Sequence, residues 1–481
     1  MRYKFRPKDF AVEEQMQLRF ASHGGFAVYR LRKRGVAALR VRAQIARALN
    51  VPQSDVIFPA LKDKDAITVQ YIAVRGAGPP RLSGDGFDAE FLGRSQRPLT
   101  PADIVANCFT IALRDLSDDE VKEIPGRLAQ VSQSGLPNYF DQQRFGSVVP
   151  GEDHIARCIL RRDAEGALHV YLTRPFVGDP TRVRDFKAFA NDHWGDWGAL
   201  FEAAPRPSNY RSVLTYLRDH PVEVSTGPEP SQGEERAIHY RKALNLINRR
   251  LLSIYLSAYQ SLLWNRVVGR YLEARLGQSP GYLEIAGERL PVYHTPSSYI
   301  RRHSDGAPSS YTRRHSDGAP SSYTRRHSGG APSSYKRRHS GGAPSSYKRR
   351  HSDGAPSSYK RRHSDGAWSA LLGTDVTVPL PSYRAVYDDP AQAEIVAQVL
   401  AGEGLVLSDL KARILKRAYL SKGRRRLILF PQDASVSHPE SDEHFPGRHK
   451  LTLTFTLPRG SYATLVIKTL QGSIVRPGGD A

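Results

Sequence analysis

Asp63 and Asp65 alternate with Lys62 and Lys64 in the segment Ala60-Leu61-Lys62-Asp63-Lys64-Asp65-Ala66-Ile67-Thr68-Val69-Gln70. A carboxylate kept ionised by a neighbouring cation can serve as a nucleophile or a general base. The same spacing suits a surface ion pair of Asp63 with Lys62 or Lys64, and one Lys-Asp pair does not choose between the two. Two further segments stand out. Lys4 precedes Pro7-Lys8-Asp9-Phe10-Ala11-Val12-Glu13-Glu14, and Pro137-Asn138-Tyr139-Phe140-Asp141-Gln142-Gln143-Arg144-Phe145-Gly146 lies near residue 140.

The chain has 481 residues, 40% of them hydrophobic and 25% charged, which suffices for a buried core and suggests two or three domains. Its net charge of +22 favours a polyanionic partner, nucleic acid before membrane. Half of that charge sits in one place. Residues 301–367 repeat with a period of 12, the unit R-R-H-S-[DG]-G-A beginning at Arg301, Arg313, Arg325, Arg337, Arg349 and Arg361. The array carries twelve Arg and three Lys against four Asp, a net +11. A unit with one tyrosine, no aliphatic residue larger than alanine, and both Gly and Pro cannot bury a core, so a disordered insertion is expected. Weak contact of its Arg and Tyr with RNA is the functional alternative.

The remaining +11 is concentrated in two runs without an acidic residue. Gln15 to Ser54 contains Arg19, Arg30, Arg32, Lys33, Arg34, Arg40, Arg42 and Arg47; Lys411 to Arg426 contains eight more basic residues. Runs of this density favour phosphate contact over a merely solvated face. Cys108 and Cys158 form no C-x-x-C pair and are expected to be two buried thiols, with neither zinc nor a disulfide. No run of about 18 apolar residues and no apolar leader is present, so a cytoplasmic protein without a membrane partner is the expectation.

Several elements must position these residues. Val41, Ile45 and Leu49 mark a helix from about Val36 to Leu49. Ala66 to Val74, Phe109 to Arg114 and Leu451 to Leu457 read as strands, the last two by clean alternation. From Glu235 to Arg275 an apolar stripe through Leu244, Ile247, Leu251 and Tyr255 predicts helix, and Pro280 to Pro291 predicts short strands and loops. Tyr462 onward turns helical or extended. Strands at opposite ends of the chain could complete one sheet around a helical insertion; a plain order of successive domains is equally compatible with the periodicity.

Taken in order, these segments resemble the TruD family of tRNA pseudouridine synthases. That family shows P-x-D-F-x-V-x-E, K-D-x-x-A-x-T-x-Q and N-Y-F-x-x-Q-R-F-G. Arg97-Pro-Leu before Asn107-Cys-Phe-Thr-Ile, Ala258-Tyr-Gln-Ser261 before Trp264-Asn265, and Leu457-Pro-Arg-Gly-Ser-Tyr-Ala-Thr464 are similar to further landmarks of the same family. The resemblance implies an α+β fold. In it a mixed-sheet catalytic domain is built from residues 1–163 and 429–481, and an inserted α/β domain spans 164–428 and carries the array. It implies conversion of uridine to pseudouridine in tRNA, at uridine 13 of the D-stem region; a monomer is the expectation.

Breaking the N1–C1′ bond, turning the uracil and joining C5 to C1′ gains no electrons and no group, so no cofactor or metal is expected. An ionised carboxylate is needed, and the resemblance assigns it to Asp63, with Asp65 at a variable position. It likewise assigns Lys4 to the cation beside that carboxylate and Phe140 to the aromatic on which the flipped base packs. Asn138 would position carboxylate or base, and Arg144 would pair with phosphate or brace its loop. This chain departs from the pattern at Ala60, where glycine is usual and a positive φ would strain alanine. It departs also at Cys108, where arginine is usual, and at Val36-Ala-Ala, where threonine is frequent. An RNA-binding or RNA-folding protein with lost or secondary catalysis is the alternative.

Overall fold

The structure, a computed structural model, describes residues 1–76, 78–221, 230–277, 279, 281–293 and 376–472. The repeat array lies outside the described residues. Ten strands form the principal sheet: β1 (Phe10–Met16), β2 (Phe26–Arg34), β3 (Val56–Ile57), β4 (Ile67–Arg75), β5 (Arg81–Gly84), β6 (Phe87–Ser95), β7 (Ile104–Leu116) and, from the far end of the chain, β14 (Gln432–Val436), β15 (Glu440–Ser441) and β16 (His449–Pro458). Their order is β14-β16-β7-β1-β4-β2-β6-β5, with β15 on β16 and β3 on β4. The two chain ends therefore do share one sheet, through Leu453 opposite Ile111 and Phe455 opposite Phe109. Among the described residues three two-stranded pairings complete the strands: β8 (Leu136–Pro137) with β13 (Ile428–Leu429), β9 (Gly281–Ile285) with β10 (Glu288–Val292), and β11 (Thr377–Pro379) with β12 (Arg424–Arg426).

Helices cover one face of the sheet in two separate patches. Helix α1 (Ala38–Ala48) lays Val41 and Ile45 on Tyr29, Leu31, Ile72 and Val74. Helix α2 (Asp118–Ser134) starts with a reciprocal cap in which Ser117 Oγ accepts from Glu120 N and Glu120 returns to Ser117 N. It stops at Gly135, where φ is +67° and a Cβ would lie 2.5 Å from Ile428 Cγ2. Between α2 and β9 the chain forms α3 (Ile155–Leu160), α4 (Ala164–Thr173), α5 (Thr181–Asp192), α6 (Trp197–Ala203), α7 (Arg211–Asp219), α8 (Pro230–Leu244) and α9 (Arg249–Leu276). Later come α10 (Pro390–Gly402) and α11 (Ala463–Leu470). Helix α11 joins α2 in one apolar core with Phe10, Ile111, Leu453 and Phe455.

Between these two patches lies the seam of β1 and β4, the one parallel pair of the principal sheet among the described residues. Parallel strands begin at the same sheet edge. The segments that precede β1 and β4, one with Lys4 and one with Asp63, are thereby brought side by side.

Several expectations need correction. The predicted helix from Glu235 to Arg275 is two helices, because Asn248 Oδ1 accepts from Arg250 N and starts a new one. Strand β7 is thirteen residues long, well beyond Phe109 to Arg114. Only Cys158 is buried; Cys108 is half-buried, since it alternates with inward-facing Asn107 and Phe109 and points to the face away from α1 and α2. Ala60 has no positive φ, so the loop accommodates it without the strain feared from its missing glycine.

Candidate active site

The seam is polar where a sheet centre is ordinarily apolar. Residues opposite each other in register share a face. Val12 faces Thr68, Lys33 faces Thr68 from the other side, Leu31 faces Gln70, and Glu14 faces Asn107. Glu14, Lys33, Thr68, Gln70 and Asn107 are all buried on the face that carries the helices. Over them runs the loop before β4, anchored by Lys62. Its Nζ is 2.8 Å from Glu14 Oε1 and donates to Asn107 Oδ1 at 2.5 Å.

This anchoring presents Asp63 to two other lysines. Lys4 Nζ donates to Asp63 Oδ2 at 2.5 Å while lying 4.3 Å from the centre of the Phe10 ring. Lys33 Nζ donates to the main-chain oxygen of Asp63 at 2.5 Å, and Asp65 N donates to Asp63 Oδ1 at 3.1 Å. Lys4 reaches its place with a left-handed φ of 56°. Burial pushes the Asp63 carboxyl up, but the Lys4 bond, the Asp65 N–H and the charges of Lys4 and Lys33 outweigh it, and the group is held below its ordinary value. Burial pulls the Lys33 ammonium down, with Asp63 and Asp65 opposing it. The result is an ionised carboxylate, about one-third exposed, set in a buried polar floor. The surface pair with Lys62 or Lys64 does not form; Lys62 turns to the sheet instead.

Phe140, Asn138 and Arg144 gather in a second cluster. Phe140 N donates to Asn265 Oδ1 and Phe140 O accepts from Asn265 Nδ2, both at 2.9 Å. Its ring meets Trp264 edge-on at 5.5 Å, and the Arg425 guanidinium lies 4.2 Å from its centre. Only 9% of Phe140 is exposed. Asn138 Oδ1 accepts from Arg425 Nη2 at 2.7 Å, and its Nδ2 donates to Arg426 O at 3.2 Å, so the amide is engaged with β12. Arg144 is exposed, braced by a 3.1 Å bond from its Nε to Ser261 Oγ and 5.6 Å from the Phe140 centroid. Burial, and after it the charge of Arg144, pull Arg425 down to about 10 against the opposing phenol of Tyr462, which still leaves it a cation at neutral pH.

No hydrogen bond, ion pair or ring contact among the described residues joins Phe140 to Asp63. The phenol of Tyr3, the neighbour of Lys4, is pushed up, first by burial and then by the charge of Asp141, the neighbour of Phe140. Asp141 in turn accepts from Thr464 Oγ1 and, at 2.5 Å, from Lys468 Nζ on α11. The N-Y-F segment is thus a junction. Tyr139 OH reaches Pro291 O, Gln142 Oε1 receives Ala286 N, and Gln260 of the same α9 holds Pro381 O and Ser421 O.

A family model described as tRNA pseudouridine synthase D (TruD) matches residues 1–281 and 369–470, passing over the stretch that contains the array. The chain belongs to the TruD family. It is by that membership a pseudouridine synthase, an isomerase. Among its relatives, the protein named "Probable tRNA pseudouridine synthase D 2" of Methanocaldococcus jannaschii is 25% identical over 470 residues, 97% of this chain and 91% of that one. The tRNA pseudouridine synthase D of Aquifex aeolicus is 29% identical over 284 residues, 57% of this chain and 68% of that one. A solved TruD structure from Methanosarcina mazei aligns with a TM-score of 0.61 at 21% identity, over 98% of this chain and 93% of that one, a likeness of fold.

Three residues of this arrangement were given no role by the sequence. Lys33 appeared only as part of a basic run, yet Ala27, Tyr29, Leu31 and Lys33 keep one parity along β2, and that parity faces inward. Arg425 likewise counted as surface charge, although it is half-buried and bonds Asn138, Tyr139 and Gly460. Asn265 was a letter in a motif; its amide is the clip that fixes Phe140.

Proposed function

We propose that this protein isomerises uridine to pseudouridine in tRNA, at position 13, with the Asp63 carboxylate as nucleophile or base at the reacting sugar and uracil. The observation that carries the proposal is the Asp63 carboxylate, ionised and partly open, bonded to Lys4 at 2.5 Å above a polar seam. Lys4 keeps the carboxylate charged when bound RNA excludes water, the condition under which an unpaired carboxyl would take up a proton. Phe140 flanks the turning base. Arg144, exposed beside it, meets a backbone phosphate, and Asn138 sets the loop through Arg425 rather than touching the base.

Residues 1–163 and 429–481 form the catalytic part in this reading, and 164–428 the part that receives the rest of the tRNA. Among the described residues no helix is long and apolar enough to cross a membrane. The chemistry proposed draws on side chains alone. Incubation with unmodified tRNA, followed by mapping of pseudouridine at single-nucleotide resolution, tests the assignment. Pseudouridine at position 13 is expected. Modification confined to other positions overturns the site, and RNA binding without any modification overturns the activity.

A further inference from the structure

Phe5 follows Lys4 directly, and 46% of it is exposed. Its ring is not a stray apolar group. It meets Phe445 at 5.3 Å, edge to face, and His444 at 5.4 Å. Arg2 lies 5.1 Å from the centre of the Phe445 ring, and Arg6 Nη2 lies 3.3 Å from His444 Nδ1. The side chain of Arg6 is therefore engaged with a ring nitrogen and not with a carboxylate.

The foundation beneath this cluster is rigid. Arg114, 3% exposed, bonds Asp9 Oδ1 at 2.9 Å, Asp442 Oδ1 at 3.0 Å and Glu443 Oε1 at 3.0 Å. Asp9 Oδ2 accepts from Arg6 N, and Asp442 accepts from His444 N and Asp115 N. One buried guanidinium so fixes both the arm that carries Phe5 and the turn that carries His444 and Phe445.

Topology puts the cluster at the edge where the Asp63 loop lies. Strands β1 and β4 begin there; antiparallel β7 ends there, and β16 begins there with His449 opposite Leu116. An exposed aromatic ring, cationic neighbours and a fixed backbone are the components of a stacking platform for an unpaired base.

We propose that Phe5, supported by His444 and Phe445 and flanked by Arg6, stacks a nucleotide that adjoins the target uridine once the uridine has left its own stack. The proposal rests on the uridine-isomerase reading and adds a second base contact to it. Extrusion of one base deprives its neighbour of a stacking partner, and a ring beside Lys4 replaces that partner. Arg6 supplies the charge for the intervening phosphate.

The test uses the whole protein and tRNA with 2-aminopurine placed on the 5′ or the 3′ side of uridine 13. Wild type is expected to quench one of the two probes. Phe5→Ala loses that quenching and weakens binding about tenfold, in line with the loss of one aromatic–base stack. Phe5→Trp restores both, and Asp63→Asn keeps both because it alters chemistry alone. Equal fluorescence of both probes with wild type and Phe5→Ala overturns the platform, even if the wild type modifies the RNA. Phe5-dependent quenching without any pseudouridine from wild type leaves the platform standing and removes the isomerase reading.

Discussion

Three lysines set Asp63 in place, two of them from distant parts of the chain and one its own neighbour, and each does something different. Lys4 touches the carboxylate, Lys33 holds the main-chain oxygen, and Lys62 pins the loop to Glu14. The sign of their effect follows from Asp63 lying below its ordinary pKa: activity that needs the ionised form is complete above that pKa and is lost as pH falls through it. In Lys4→Met burial is left less opposed, the carboxyl rises, and the acidic limb of kcat/KM moves to higher pH. A limb at the wild-type position would contradict the role of Lys4. Lys33→Met removes one charged hydrogen bond from the Asp63 backbone, and kcat is expected to fall roughly tenfold or more with KM little changed. A proportionate rise in KM instead would make Lys33 a substrate contact. The meeting of Lys4 with Asp63 was legible in the sequence because one lies beside a dense motif and the other within one. Lys33 was hidden by a count of charges that ignored the parity of its strand, and Phe5 was hidden because exposure is a property of the fold.

Elements were legible where periodicity was strong and isolated. Val41 and Ile45 announced α1, and the alternation of Leu451 to Leu457 announced β16. The break between α8 and α9 was not, since the apolar stripe continues through Ile247 while the side chain of Asn248 interrupts the backbone. Nor could alternation reveal which strand neighbours which; the parallel β1–β4 seam comes from long-range register. A buried charge network lies just before β1, where Arg114 binds Asp9 and Asp442. Arg114→Met leaves Asp9 and Asp442 buried without their cation, and a loss of about 3–5 kcal/mol is expected in urea unfolding. A change below about 1 kcal/mol would show that the network does not hold the arm and turn in place.

At the scale of the whole chain, half of the net charge belongs to an array over which the family match passes. Deletion of residues 301–366 is expected to leave a folded, active enzyme whose tRNA affinity falls less steeply with salt. Loss of folding would show the array to be structural, and an unchanged salt slope would show that it makes no RNA contact. The acid-free runs also prove less uniform than their composition suggests, because Lys33 is buried, Arg425 is half-buried and bonded to the main chain, and Arg30 and Arg40 are paired with Glu13 and Asp85. The opposite ends of the chain could be seen to be β-rich, but only the pairing of β7 with β16 makes them one sheet. Everything then converges on Asp63, and a single comparison tests it most directly: wild type and Asp63→Asn on unmodified tRNA, with pseudouridine formation and RNA affinity measured on the same samples. A catalytic Asp63 requires a loss of at least about 10²–10⁴-fold in modification rate with affinity within about twofold of wild type. Comparable modification by the variant would contradict it.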